Sequence, residues 1–198
     1  MYNLRMLRLS DFAIATIAGL LSTITLAQSP PPKSKSPMDS ILVYGQDFVF
    51  SLKEPQGWRC ICGPEATEYG VNAILFPSAA ESRARHVQIR VRVNDKVDEN
   101  TAEDLNADMR EYKKKYPKVE FAPLDIAHPE YRTYGKVFEL PNDFYEYVAY
   151  LNPGPGSSYT LSVAMSKEKA PATSEELAAY TKVLKSLNAF GGKASKAH

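Results

Sequence analysis

The run Phe144–Leu151, F-Y-E-Y-V-A-Y-L, constrains this chain more than any other segment. Successive side chains of a strand point to opposite faces. Tyr145, Tyr147, Ala149 and Leu151 therefore line one side, and Phe144, Val148 and Tyr150 line the other. A strand that is apolar on both faces has to be covered on both faces, so this run predicts a central strand with helices packed on each side. Tyr134–Leu140 and Tyr159–Met165 flank it and also read as strands. The connecting segments, Pro141-Asn142-Asp143 and Asn152–Ser158, have the composition of turns. Three consecutive antiparallel strands are expected here.

The remaining elements follow from periodicity. Gln46–Lys53 alternates with Phe48, Phe50 and Leu52 on one face, and Pro55 and Gly57 end it. Gly70–Phe76 is a short apolar run closed by Pro77. His86–Val93 alternates again, with Val87, Ile89, Val91 and Val93 facing inward and Gln88, Arg90 and Arg92 facing the other way. Thr101 is read as the N-cap of a helix carrying Leu105, Met109, Tyr112 and Tyr116 at helical spacing, and Pro117 marks its end. Val119–Ile126 is a strand that Pro123 confines to an edge or a bulge. Thr173-Ser-Glu-Glu176 is a capping box opening a last helix, with Leu177, Tyr180, Leu184 and Leu187 on one stripe. The fold class is α+β, an antiparallel sheet sandwiched between α-helices.

The N-terminus reads as an export signal. Arg5 and Arg8 precede an apolar run from Phe12 to Leu26, and Thr25-Leu26-Ala27 sets small residues at the −3 and −1 positions before Gln28. A membrane-spanning helix needs about 20 apolar residues, and this run has roughly 15. The expected organisation is a signal peptide over 1–27, a Pro/Ser/Lys-rich tether over 28–40, one globular domain over 41–190 and a flexible tail over 191–198. The address is then periplasmic or secreted, with no transmembrane anchor after cleavage. The full chain carries 24 Lys+Arg and 23 Asp+Glu. Removing Arg5, Arg8 and Asp11 leaves 22 of each, so the exported part is formally neutral and lacks the basic bias of a nucleic-acid binder.

Few residues suggest chemistry. Cys60 and Cys62 are the only cysteines, in W-R-C-I-C-G. Export favours pairing of thiols, but residues i and i+2 of a strand lie about 6.6 Å apart, near the upper limit for a disulfide. A strained local bridge, two inert thiols, or a soft-metal or redox pair all remain open. His86 and His128 are isolated and read as structural or solvated. Asp95, Asp98, Glu99, Glu103 and Asp104 cluster at the start of the first helix, where acids complement the helix dipole. A calcium loop would need a D-x-[DN]-x-[DN]-G pattern that is not there. Gly154-Pro-Gly156 is a turn, since no Gly-Lys-[Ser/Thr] follows it. Trp58, Tyr145, Tyr147 and Tyr150 either line a ligand groove or belong to the core. No catalytic constellation, cofactor motif or metal-ligand set is evident.

Two phrases, Phe48-Val-Phe50-Ser-Leu-Lys-Glu-Pro55-Gln-Gly57-Trp58 near the start and Val183-Leu-Lys-Ser-Leu187-Asn near the end, frame the Val87–Val93 strand and the Thr101 helix. In this order they resemble the superfamily that includes the photosystem II extrinsic protein PsbP, the Ran-binding nuclear import factor of yeast and exported bacterial domains. The resemblance covers about residues 46–190. It implies an antiparallel sheet between helices and a binding or assembly role, with another exported or envelope protein as partner. It supplies no positions from which a photosystem or Ran contact carries over, and the exported bacterial group is the better relative. The expectation is an exported, non-catalytic module that binds a protein or small ligand, in envelope assembly or maintenance; the alternatives are a redox or metal-handling protein using Cys60 and Cys62, or a structural domain of a larger exported complex.

Overall fold

The computed structural model describes residues 40–78, 86–96 and 99–190. The predicted signal peptide, residues 28–39 of the tether, the tail and Asp98 lie outside the described residues. Along the chain the elements are β1 (Ile41–Tyr44), β2 (Val49–Leu52), β3 (Trp58–Cys62), α1 (Pro64–Thr67), β4 (Ala73–Pro77), β5 (Val87–Asp95) and α2 (Thr101–Lys115). Then follow β6 (Glu120–Pro123), β7 (Arg132–Leu140), β8 (Phe144–Asn152), β9 (Tyr159–Glu168), α3 (Ser174–Ser186) and β10 (Asn188–Phe190).

The strands form a seven-stranded antiparallel sheet in the order β3-β4-β5-β9-β8-β7-β6 and a three-stranded sheet in the order β1-β2-β10. The fold is α+β. As the sequence predicts, β7, β8 and β9 are consecutive antiparallel neighbours. β8 lies inside the sheet, and β9 holds the exact middle position of the seven. Pro123 closes β6, which is an edge strand, where a missing N–H leaves no ladder bond unmade.

Both faces of β8 are covered. Tyr147, Ala149 and Leu151 join the main core with Ile89, Val91, Leu161, Val163 and Met165, and α3 closes it through Tyr180, Val183 and Leu184. Phe50 and Leu52 of the small sheet complete that core, both fully buried. Burying each such side chain contributes about 1.5–3 kcal/mol. On the opposite face, Val148 and Tyr150 pack with Leu105, Phe138 and Val119, and Met109, Tyr112 and Tyr116 of α2 cover them. The two helices thus sit on opposite faces of β8, one over each of its apolar rows.

Three expectations change. The predicted strand Gln46–Lys53 is shorter, Val49–Leu52, because Gly45 and Phe48 close the β1–β2 hairpin, with the Gly45 N–H donating to the Phe48 carbonyl at 3.0 Å. A Cβ on Gly45 would fall 2.3 Å from the Phe48 ring, so a larger residue there would have to displace that ring. The short elements β1, α1 and β10 and the second sheet have no counterpart in the sequence reading. Thr101 is not the N-cap of α2 but its first helical residue. Asn100 holds the cap position, and the Thr101 side chain turns inward with 1% of its surface exposed.

The capping box at α3 forms as read. Thr173 Oγ1 accepts from the Glu176 N–H at 3.3 Å, and Glu176 Oε2 accepts from the Thr173 N–H at 2.7 Å. Thr173→Ala should lower stability by about 1 kcal/mol while Thr173→Ser retains most of it. Urea unfolding of the two variants checks this.

Candidate functional site

The recess of interest lies on the α2 face of the large sheet. Its floor follows from strand alternation and register. Arg90 and Arg92 of β5 share that face with Ser162, Ala164 and Ser166 of β9 and with Glu146, Val148 and Tyr150 of β8. Ser166 pairs across to Glu146, and Ser162 lies between Arg92 and Tyr150. α2 packs over β8 and β7, so the polar floor on β5 lies to the side of the helix.

At the centre is Glu146, 4% exposed although it is the one charged residue of β8. It accepts from Arg90 Nη2, from Tyr112 Oη and from Ser166 Oγ, the last at 3.0 Å. Arg90 Nη2 also donates to Ser166 Oγ at 2.7 Å. A buried carboxylate persists only when its charge is paired and its lone pairs are bonded, and here β5, β9 and α2 together supply both. Burial, reinforced by the bond to Glu146, pushes the Tyr112 phenol well above its ordinary value. The same holds for Tyr150, which is buried and donates to Asp108 Oδ2 at 2.6 Å. Both tyrosines are therefore neutral donors at physiological pH.

Two hollows meet at this network. The outer one, about 990 Å³, lies between the C-terminal end of α2 and the β7–β8 turn, with Tyr112, Tyr116, Leu140 and Phe144 as apolar walls and Lys114, Lys115 and Lys169 at the edge. The turn is shaped by Asn142 and Asp143, whose φ values of 66 and 55 lie in the left-handed region that Asn and Asp tolerate. The inner hollow, about 260 Å³, is mainly polar and lies among Arg90, Arg92, Asn94, Asp108, Ser162 and Tyr150. Tyr112 and Glu146 line both, so their hydrogen bond stands at the boundary.

The residues singled out from sequence fall elsewhere for the most part. Trp58, Tyr145 and Tyr147 all face the main core on the α3 side, and Tyr147 Oη accepts from the Ala172 N–H at 2.9 Å. Tyr150 faces α2. The four aromatics do not come together as one groove, because Tyr150 is three positions from Tyr147 and so on the opposite face, while Trp58 lies on the far edge strand β3. Only Tyr150 lines one of the hollows just described.

Cys60 and Cys62 stand as separate thiols on β3, both partly packed against the main core. Burial, then the nearby Cys62 and Glu54, pushes the Cys60 thiol up to about 12. At pH 8 the thiolate is then only about one part in 10⁴ of this residue, which makes it a poor nucleophile. In reduced, folded protein, Cys60 should react with iodoacetamide at least about 100-fold more slowly than after unfolding, read by peptide mass mapping. Equal rates would show that the thiol is not buried as described.

Among the described residues, no three or more His, Cys, Asp or Glu side chains are grouped to hold a metal ion. Within the acidic cluster, Glu99 bonds to Lys96 at 2.7 Å and Glu103 to Arg110 at 2.8 Å. Those side-chain bonds hold both carboxyls below their usual range. His86 is exposed and lies 3.4 Å from Glu168. His128 is buried at 8% exposure, and its ring bonds to backbone groups alone among the described residues. No protein-family model matches the chain, and no curated protein is significantly similar to it.

The sequence reading missed Glu146, Tyr112 and Arg90 as a unit. The available signal was Glu146 itself, a lone charge inside an otherwise apolar strand.

Proposed function

We propose that this chain is an exported, non-catalytic module with a PsbP-like fold that binds a protein or small ligand, in envelope assembly or maintenance, through the recess on the α2 face. The observation that carries the reading is the pairing of an apolar, lysine-edged groove with a polar inner hollow around a fully bonded Glu146. Ligand sites combine apolar walls with a few fixed polar groups in this way, and the outer volume lies near the top of their usual range of about 300–1,000 Å³. The carboxylate that would be the natural acid or base is committed to Arg90, Tyr112 and Ser166, which favours binding over turnover. The neutral balance of the exported part fits a protein or small-molecule partner better than nucleic acid. Among the described residues no helix is long and apolar enough to cross a membrane.

Two measurements test the proposal. The mass of the chain recovered from the periplasm or medium of a producing bacterium should correspond to a start at Gln28. In ¹H–¹⁵N spectra, binders from a library of small molecules and short peptides should shift Leu140, Phe144 and Tyr116, and Phe144→Ser should abolish those shifts with the rest of the spectrum retained. A turnover activity lost on replacing one residue of the recess would overturn the non-catalytic reading. A library with no binder in the recess would overturn the site.

A further inference from the structure

The inner hollow carries a charge pattern that the outer groove does not. Of its four charged residues, Arg90 and Glu146 satisfy one another. Arg92 is exposed and has no ion-pair partner among the described residues, and no cation pairs with Asp108, whose Oδ2 is bonded only to the Tyr150 hydroxyl. The hollow therefore offers one unpaired guanidinium from the sheet and one unpaired carboxylate from α2. Beside them, Arg90 Nε and Asn94 Nδ2 are buried donors without a hydrogen-bond partner among the described residues. A buried donor left unmade costs about 1–3 kcal/mol, so an acceptor at this place is favoured.

We infer that the inner hollow takes a small zwitterion of the α-amino acid type, its carboxylate on the Arg92 side and its ammonium on the Asp108 side. This rests on the reading of the α2-face recess as a binding site and names the ligand class of its inner part. Three observations select that class. The guanidinium fork matches a planar carboxylate, and alternation sets Asn94 on the same face of β5, one step of about 6.6–6.8 Å along. With Glu146 paired to Arg90, a dianion such as phosphate would meet the Asp108 carboxylate with one unpaired cation to balance it, whereas a zwitterion matches both Arg92 and Asp108 and leaves the net charge of the hollow unchanged. The volume of about 260 Å³ lies below the range of about 300–1,000 Å³ for drug-sized ligands, which limits the occupant to a handful of heavy atoms.

The test is a ¹H–¹⁵N titration of the purified protein that follows the side-chain signals of Arg90, Arg92 and Asn94. L-Alanine is the probe, with acetate, methylamine and sodium chloride as controls. L-Alanine should bind saturably and at least about tenfold more tightly than acetate or methylamine. Arg92→Gln and Asp108→Asn should each weaken it by at least about tenfold with the rest of the spectrum retained. An equal response to acetate, or to chloride, would overturn the assignment, as would a hollow that responds to none of them and so holds water alone. If alanine is silent while library binders still shift Phe144, this inference fails and the proposed function stands. If both are silent, both fail.

Discussion

Glu146→Ala is expected to lower the stability of this protein by about 3 kcal/mol or more, at the lower end of the range for breaking a buried ion pair. The lower end applies because the Arg90 side chain keeps 24% of its surface exposed, against 5% for Glu146. Removing the carboxylate leaves the Arg90 charge without its counter-ion, with Ser166 Oγ as its remaining acceptor, and leaves the Tyr112 and Ser166 hydroxyls without theirs. Glu146→Gln keeps the shape and one acceptor oxygen but not the charge, so its loss should be intermediate. The double variant Arg90→Met/Glu146→Leu should recover most of the loss, because a well-packed apolar pair often matches or exceeds the ion pair it replaces. Urea unfolding of the single and double variants provides the cycle. A cost below about 1 kcal/mol for Glu146→Ala would place this contact with ordinary surface ion pairs.

His128→Ala should cost about 2–4 kcal/mol, by the loss of bonds to three backbone groups rather than by loss of volume. His128 Nε2 donates to the Leu187 carbonyl at 2.9 Å, and Nδ1 accepts from the Glu130 and Tyr131 N–H groups at 3.1 and 3.0 Å. The ring also stacks on Tyr131, with centroids 4.2 Å apart. These bonds tie the segment before β7 to the junction of α3 and β10. They require the neutral ring with its proton on Nε2. Burial accordingly holds the His128 pKa below its ordinary value of 6.5, despite the opposing pull of the Leu187 carbonyl. The unfolded chain takes up a proton near 6.5 and the folded chain resists it. This contribution is therefore complete above about pH 6.5 and is lost as the pH falls toward the lower folded value. Urea midpoints at pH 7.5 and pH 5.5 should differ in the wild type, and the part of the difference due to His128 should vanish in His128→Ala. The exposed carboxyls of Glu99 and Glu103 titrate below their usual range and do not share that window.

Long periodic segments are legible in the sequence. The alternation of His86–Val93, the stripe from Leu105 to Tyr116 and the capping box at Thr173 all state a local preference that the tertiary structure agrees with. Pro123 marked its strand as an edge because the reason, a missing N–H, is local too. β1 and β10 could not be read that way. They are four and three residues long, too short to show a period, and each exists as a strand by pairing with β2, Asn188 opposite Ser51 and Ile41 opposite Leu52. Thr101 illustrates a different limit. Its type suits a cap, but helix packing draws it inside by one position.

The site divides along the same line. That Phe144–Leu151 must be covered on both faces was determined by its composition and the two-residue period of a strand, and the structure sets α2 over one face and α3 over the other. That Glu146 is an exception within this run was equally visible. What only the tertiary structure decided is that Arg90, 56 residues earlier, is its counter-ion. The two meet because β9 lies between β5 and β8 and sets both registers. A shift of either ladder by one residue would turn the arginine or the glutamate to the other face. Register of that kind is a property of the assembled sheet, summed over many cross-strand contacts, and no single segment encodes it.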